Sequence, residues 1–173
     1  MNTAPTNTSQ TVIESPATSS AAVRIDVSSE LAADVDSVWR QVSTPAGVNY
    51  ELWPLRMTFP RDLPSIDEAS TGQNLFRSLI TLLGVLPLDW HHFGLVRIDP
   101  GRGFHEISSS LWVARWVHIR SVAPHDRGCT VHDQVECSPR LLMPTCLVAP
   151  LYRYIFERRH DRLRRRFGGN RLA

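Results

Sequence analysis

Asp133 carries the strongest hint of chemistry in this chain. In the run around it Val131, Val135 and Cys137 share one face with Asp133, while Thr130, His132, Gln134 and Glu136 take the other. A carboxylate on an apolar face must be paired or hydrogen-bonded. Arg115, Arg120 or backbone amides can do this structurally; the alternative is a role in binding or reaction. One run earlier Trp116, His118 and Arg120 share a face, and Arg115, Val117 and Ile119 share its opposite. One face is polar and the other mixed, so the inward one stays open. A cavity histidine at 118 would exchange protons near neutral pH. His118, Asp133 and Arg115 are therefore the catalytic candidates. Trp90-His91-His92-Phe93 and His105-Glu106 pose the same question. Strand alternation lets only one of His91 and His92 line a pocket; Trp90, His92 and His105 are taken as lining residues, with Trp116, His118, Asp133, Tyr152 and Phe156.

Other chemistries find no support. The histidines form no His-Glu-x-x-His pair, the cysteines no Cys-x-x-Cys, and Cys129 and Cys137 stand too far apart on one strand to share an ion. No Gly-x-Ser-x-Gly elbow, Gly-x-Gly-x-x-Gly turn or Walker loop occurs. Neither a metal nor another cofactor is expected.

The elements that must position these residues follow from pattern. The chain has 173 residues, 42% of them hydrophobic, with a net charge of +2. That length suits one domain, and the near-neutral charge implies no particular partner. Arg77, Asp89 and Arg97 interrupt the longest apolar stretch before it could span a bilayer. Three cysteines are too few and too odd for a disulfide framework, which fits a reducing compartment. Residues 1–21 read as a flexible tail rich in Thr, Ser and Asn. They lack the basic start and apolar core of a secretion signal, so a cytoplasmic location is expected.

Val23, Ile25 and Val27 alternate with polar residues as in a strand. Asp34 caps a short helix to Val42, and Pro45 opens a second. Leu55–Phe59, between prolines, allows a short edge strand, and Arg61–Thr71 reads as loop. The leucines of Leu75–Leu86 suit a helix or a buried strand equally. Four strands follow at Asp89–Ile98, Phe104–Trp112, Arg115–Val122 and Cys129–Cys137, joined by short Pro/Gly/Asp turns that favour antiparallel hairpins. A terminal helix begins between Pro144 and Pro150 and ends at Phe167; its apolar stripe is interrupted at His160. The class is α+β, with one long helix laid across a curved sheet.

In that order the chain resembles the START-like superfamily, also called SRPBCC or polyketide cyclase/dehydrase-like. The resemblance rests on Val23–Val27 with Asp34–Trp39, on Trp116-Val117-His118, on Gly128-Cys129-Thr130-Val131-His132-Asp133-Gln134-Val135, and on Phe156-Glu157-Arg158-Arg159-His160. It covers residues 22–168, leaving 169–173 as a short tail. It implies a helix-grip fold of about seven antiparallel strands around the C-terminal helix, with a deep cavity between, and favours a strand for Leu75–Leu83. Members bind lipids, sterols, polyketides or aromatic molecules, and some cyclise or dehydrate polyketides. Where members often carry Tyr or Phe, this chain has Cys137.

The expected function is binding of a hydrophobic small molecule between sheet and helix, without chemistry of its own. One alternative is a cyclase- or dehydratase-type enzyme using a cavity His/Asp/Arg set. The other is an accessory protein whose arginine-rich helix meets a partner or a membrane surface, since eight arginines follow Leu151 against Glu157 and Asp161. No nucleic-acid partner is expected, because basic residues and exposed aromatics do not interleave.

Overall fold

Alternation and capping decide the first third of the chain. In the computed structural model, which describes residues 22–140 and 144–172, strand β1 (Val23–Leu31) buries every second residue, Val23 through Leu31. Helix α1 (Val35–Val42) starts where the Asp34 carboxylate accepts the Ser37 backbone N–H at 2.8 Å. Its buried residues are Val35, Val38, Trp39 and Val42, the stripe expected from helical spacing. Helix α2 (Pro45–Leu52) follows, capped by the Thr44 hydroxyl accepting Gly47 N–H at 3.0 Å, with Pro45 in its first turn.

The remaining strands are β2 (Leu55–Met57), β3 (Gly72–Leu82), β4 (Leu86–Asp99), β5 (Gly103–Ser110), β6 (Val113–His125) and β7 (Gly128–Pro139). Helix α3 (Thr145–Phe167) and strand β8 (Gly169–Arg171) complete the chain. A single 3₁₀ turn, Ile66–Glu68, interrupts the loop before β3. The Leu75–Leu86 ambiguity resolves to strand, because Leu83 and Gly84 both take positive φ, 56° and 78°, and Val85 N–H closes the turn on Leu82 C=O at 3.1 Å. Successive positive φ values reverse a strand and break a helix.

All pairings are antiparallel, in the order β2-β3-β4-β5-β6-β7-β1-β8. The sheet thus has eight strands where about seven were expected. The additional one comes from the residues after α3, whose Gly169, Asn170 and Arg171 pair with Leu31, Glu30 and Ser29. Gly169 sits so close to β1 that a Cβ there would lie 2.0 Å from the Glu30 carbonyl oxygen. Register shifts within β3–β4, β4–β5 and β6–β7 bend the sheet, and α3 lies across the concave face. This is a helix-grip architecture.

Two apolar clusters fill the grip. Leu31, Val38, Trp39, Val122, Val131 and Leu163 form one; Ile25, Val27, Val113, Val135, Val148 and Phe156 form the other. Between them runs a polar belt of Ser29 (β1), Arg120 (β6), Asp133 (β7) and His160 (α3), all buried. The β6–β7 register sets Arg120 opposite Asp133, and α3 carries His160 to bridge Asp133 and Ser29.

Candidate functional site

A cavity of about 150 Å³ lies between α2, α3 and strands β2 to β6. Its walls are mainly apolar, with Leu52, Phe76, Phe93, Phe104, Ile155 and Phe156 among them. One wall is polar: His91, Glu106, His118 and Arg120 line it from three adjacent strands. Apolar walls with a few placed polar groups are what a small-molecule site requires.

The polar wall is the visible edge of a buried network. His91 Nε2 donates to Glu106 at 2.7 Å, and the Ser108 hydroxyl donates to the same oxygen at 2.6 Å. His118 lies between two carboxylates, with Nδ1 3.4 Å from Glu106 and Nε2 2.9 Å from Asp133. A doubly protonated ring satisfies both, whereas a neutral one can donate to only one. Arg120 Nε donates to Asp133 at 2.7 Å, and its two terminal nitrogens grip Glu51 of α2 at 3.0 and 2.9 Å. Arg159 Nε reaches the same Glu51 at 3.0 Å from α3. His160 Nε2 meets Asp133 at 3.1 Å, while its Nδ1 accepts from Ser29 at 2.9 Å. Three carboxylates, two guanidiniums and three imidazoles thus tie α2, α3 and strands β1 and β4 to β7 together.

The electrostatics follow from this pairing. Burial alone would push the Glu106 carboxyl upward, but hydrogen bonds from His118 and His91 outweigh it and hold the group well below the usual carboxylate range. Burial opposes ionisation of Asp133 too, and the charge and hydrogen bonds of Arg120, with help from His118, hold it far down. Arg120, desolvated but flanked by Asp133 and Glu51, is held above the ordinary guanidinium value. Burial raises the Tyr152 phenol, and the Asp89 charge adds to that rise.

Of the residues singled out from sequence, Trp116, His118, Tyr152 and Phe156 line the cavity. Trp116 packs on Tyr152 with ring centroids 5.0 Å apart, and Phe156 meets His118 edge-on at 5.2 Å. Asp133 points inward as its parity requires, but it lies behind His118, fully buried and outside the cavity lining. Trp90, His92, His105 and Arg115 do not line the cavity. In the first half of β4 burial alternates through Asp89, His91 and Phe93, which turns Trp90 (52% exposed) and His92 to the convex face. On β5 the inward residues are Phe104 and Glu106, so His105 faces away. Arg115 is exposed and pairs with Glu136 at 3.5 Å, and the arginine that joins Asp133 is Arg120.

Sequence reasoning missed His91, Glu106, Glu51, Arg159 and Asp89. The parity of His91 with Phe93, and of Glu106 with Phe104, was a usable signal. His160 was visible as the break in the α3 stripe. Nothing in the short, weakly patterned α2 marks Glu51. The arginines of α3 do not form one free basic face: Arg159 is buried on Glu51, Arg164 pairs with Asp161 and Ser29, and Arg162 and Arg166 lie over the Tyr50 ring.

The fold is START-like, and solved structures share it. A protein from Chromobacterium violaceum, CV1439, superposes with a TM-score of 0.66 over 85% of this chain and 98% of its own, at 12% identity. A START superfamily protein from Mycobacterium smegmatis gives 0.58 over 84% and 96%, at 10% identity. DynU16, from the dynemicin biosynthetic locus, gives 0.55 at 20% identity, over 83% of this chain but 46% of its own. Residues 29–167 match the family model described as a domain of unknown function, DUF8410, and the chain belongs to that family. No curated protein matches the sequence. Among the described residues no helix is long and apolar enough to cross a membrane.

Proposed function

We propose that this chain binds a small, largely apolar molecule in the cavity between the sheet and α3. The observation that carries this reading is the cavity itself: mainly aromatic and aliphatic walls, with a few polar groups among them. A space of about 150 Å³ suits a ligand of roughly one aromatic ring with a short substituent. The buried ion network fixes the positions of α2 and α3, so the walls are preorganised and binding need not order them.

Native mass spectrometry of the gently purified full chain should reveal a co-purifying small molecule. Ile155→Trp, which fills the cavity from α3, should abolish its retention without lowering the melting temperature. Retention of the same molecule by that variant would remove the cavity as the site.

A second reading rests on His91. Its Nε2 is held by Glu106, and its Nδ1 has no partner among the described residues, the arrangement of a base oriented by a carboxylate. Abstraction of a proton next to a ligand carbonyl is the reaction this favours. The His118, Asp133 and Arg115 set does not support it, because Asp133 is shielded and Arg115 faces solvent. Deuterium exchange into a single-ring methyl ketone, lost in both His91→Gln and Glu106→Gln, is the test; equal exchange in all three proteins rejects it.

A further inference from the structure

Asp89 stands apart from every other buried carboxylate of the described chain. It is 8% exposed and lines the cavity. Its Oδ1 accepts the Leu111 backbone N–H at 2.9 Å, and its Oδ2 takes no hydrogen bond from any described residue. Glu51 and Asp133 are paired with Arg120 and Arg159, and Glu106 lies between the rings of His91 and His118. Asp89 has no cation. A buried carboxylate without a counter-charge is expensive, so this end of the cavity is short of one positive group.

The surroundings say what kind of group would fit. His91, with its unpartnered Nδ1, and the Tyr152 hydroxyl, which makes no hydrogen bond within the described chain, line the same cavity as Asp89. Three acceptors around one space match the three N–H donors of a primary ammonium. Phe93, Trp116 and Tyr152 line the same cavity, Trp116 with its ring 5.0 Å from Tyr152 and 6.4 Å from His91, and aromatic rings favour a cation and an aromatic body alike. Both guanidiniums that reach the cavity are already committed to Glu51 and Asp133, so an anionic ligand would find repulsion from Asp89 with little to offset it.

We propose that the cavity takes a small aromatic amine, bound as its ammonium form with the charge on Asp89 and the ring against Trp116 and Tyr152. This rests on the reading that the cavity holds a ligand, and it adds the ligand's charge and size.

The test is calorimetric titration of the full chain at neutral pH with three probes of one shape: 2-phenylethylamine, 2-phenylethanol and phenylacetate. The amine should bind tightest, the alcohol about tenfold or more weaker, and the acid weaker still. Asp89→Asn keeps an oxygen for the Leu111 N–H and should lower amine affinity to that of the alcohol while leaving the alcohol unchanged. Alcohol or acid binding as tightly as the amine overturns the proposal and leaves cavity binding standing, as does an Asp89→Asn protein that holds the amine as well as the parent. If none of the probes binds while mass spectrometry finds a retained molecule, the amine assignment alone falls. If no probe binds and no molecule is retained, the cavity reading falls with it.

Discussion

Arg120 on β6 and Asp133 on β7 are directly opposite register partners, and Arg120 Nε reaches Asp133 Oδ1 at 2.7 Å with both side chains fully buried. The pair closes the gap between the two apolar clusters. Removing Arg120 leaves Asp133 and Glu51 short of a counter-charge, so Arg120→Met should destabilise the fold by about 3–5 kcal/mol. Removing Asp133 as well relieves much of that penalty. In a urea-unfolding cycle, Arg120→Met with Asp133→Leu should cost clearly less than the sum of the single changes. Strict additivity would mean the two groups do not act as a pair.

Acid stability depends on the same buried carboxylates. Glu106 and Asp133 are both held below their ordinary values. The unfolded chain therefore binds more protons than the folded one, and stability rises with pH through that window. The contribution is complete above the ordinary carboxylate values of about 4 and is lost as pH falls below them. Glu106→Gln removes one such group, so its unfolding free energy should fall less steeply than the parent's between about pH 4.5 and 2. Parallel acid limbs would exclude Glu106 as a contributor.

How far the sequence spoke depended on whether a residue's neighbours shared its pattern. The inward parity of Asp133 was legible because Val131, Val135 and Cys137 flank it, and the caps at Asp34 and Thr44 were legible from residue type alone. The hairpin at Leu83-Gly84 was not, since leucine spacing fits helix and strand equally and Leu83 takes a backbone conformation rare for its type. On β4 and β5 adjacent polar residues, His91 with His92 and His105 with Glu106, blur the alternation, and only the parity with Phe93 and Phe104 marks which member of each pair faces inward. Glu51 became readable only in three dimensions. Its partners Arg120 and Arg159 are 69 and 108 residues away, and no local pattern carries such a pairing.

Phe156 connects cavity and network. It is 2% exposed, meets His118 edge-on and lies under the Arg159 guanidinium, 5.0 Å from ring centroid to Cζ. Phe156→Ala should cost about 3–5 kcal/mol through lost burial and the void left behind. The variant also enlarges the cavity, so ligands bulkier than one ring should gain affinity relative to the parent's preferred size. Denaturant unfolding and competitive titration with one- and two-ring probes measure the two effects separately. An unchanged size preference would show that Phe156 does not bound the ligand space.

The three cysteines should divide sharply by reactivity. Cys129 and Cys137 face inward on β7, where burial pushes both thiols up to about 11, with the charges of Asp34 and Glu136 adding to the rise. Reaction requires the thiolate, which is then scarce at neutral pH, and the packed face also blocks access. Cys146, in the first turn of α3, is exposed. At pH 7.5 an aromatic disulfide reagent should label one thiol of the native chain rapidly and the remaining two only on unfolding. Rapid labelling of Cys137 in the native state would mean that the end of β7 opens from beneath α3, and the cavity walls built on that contact would then be transient.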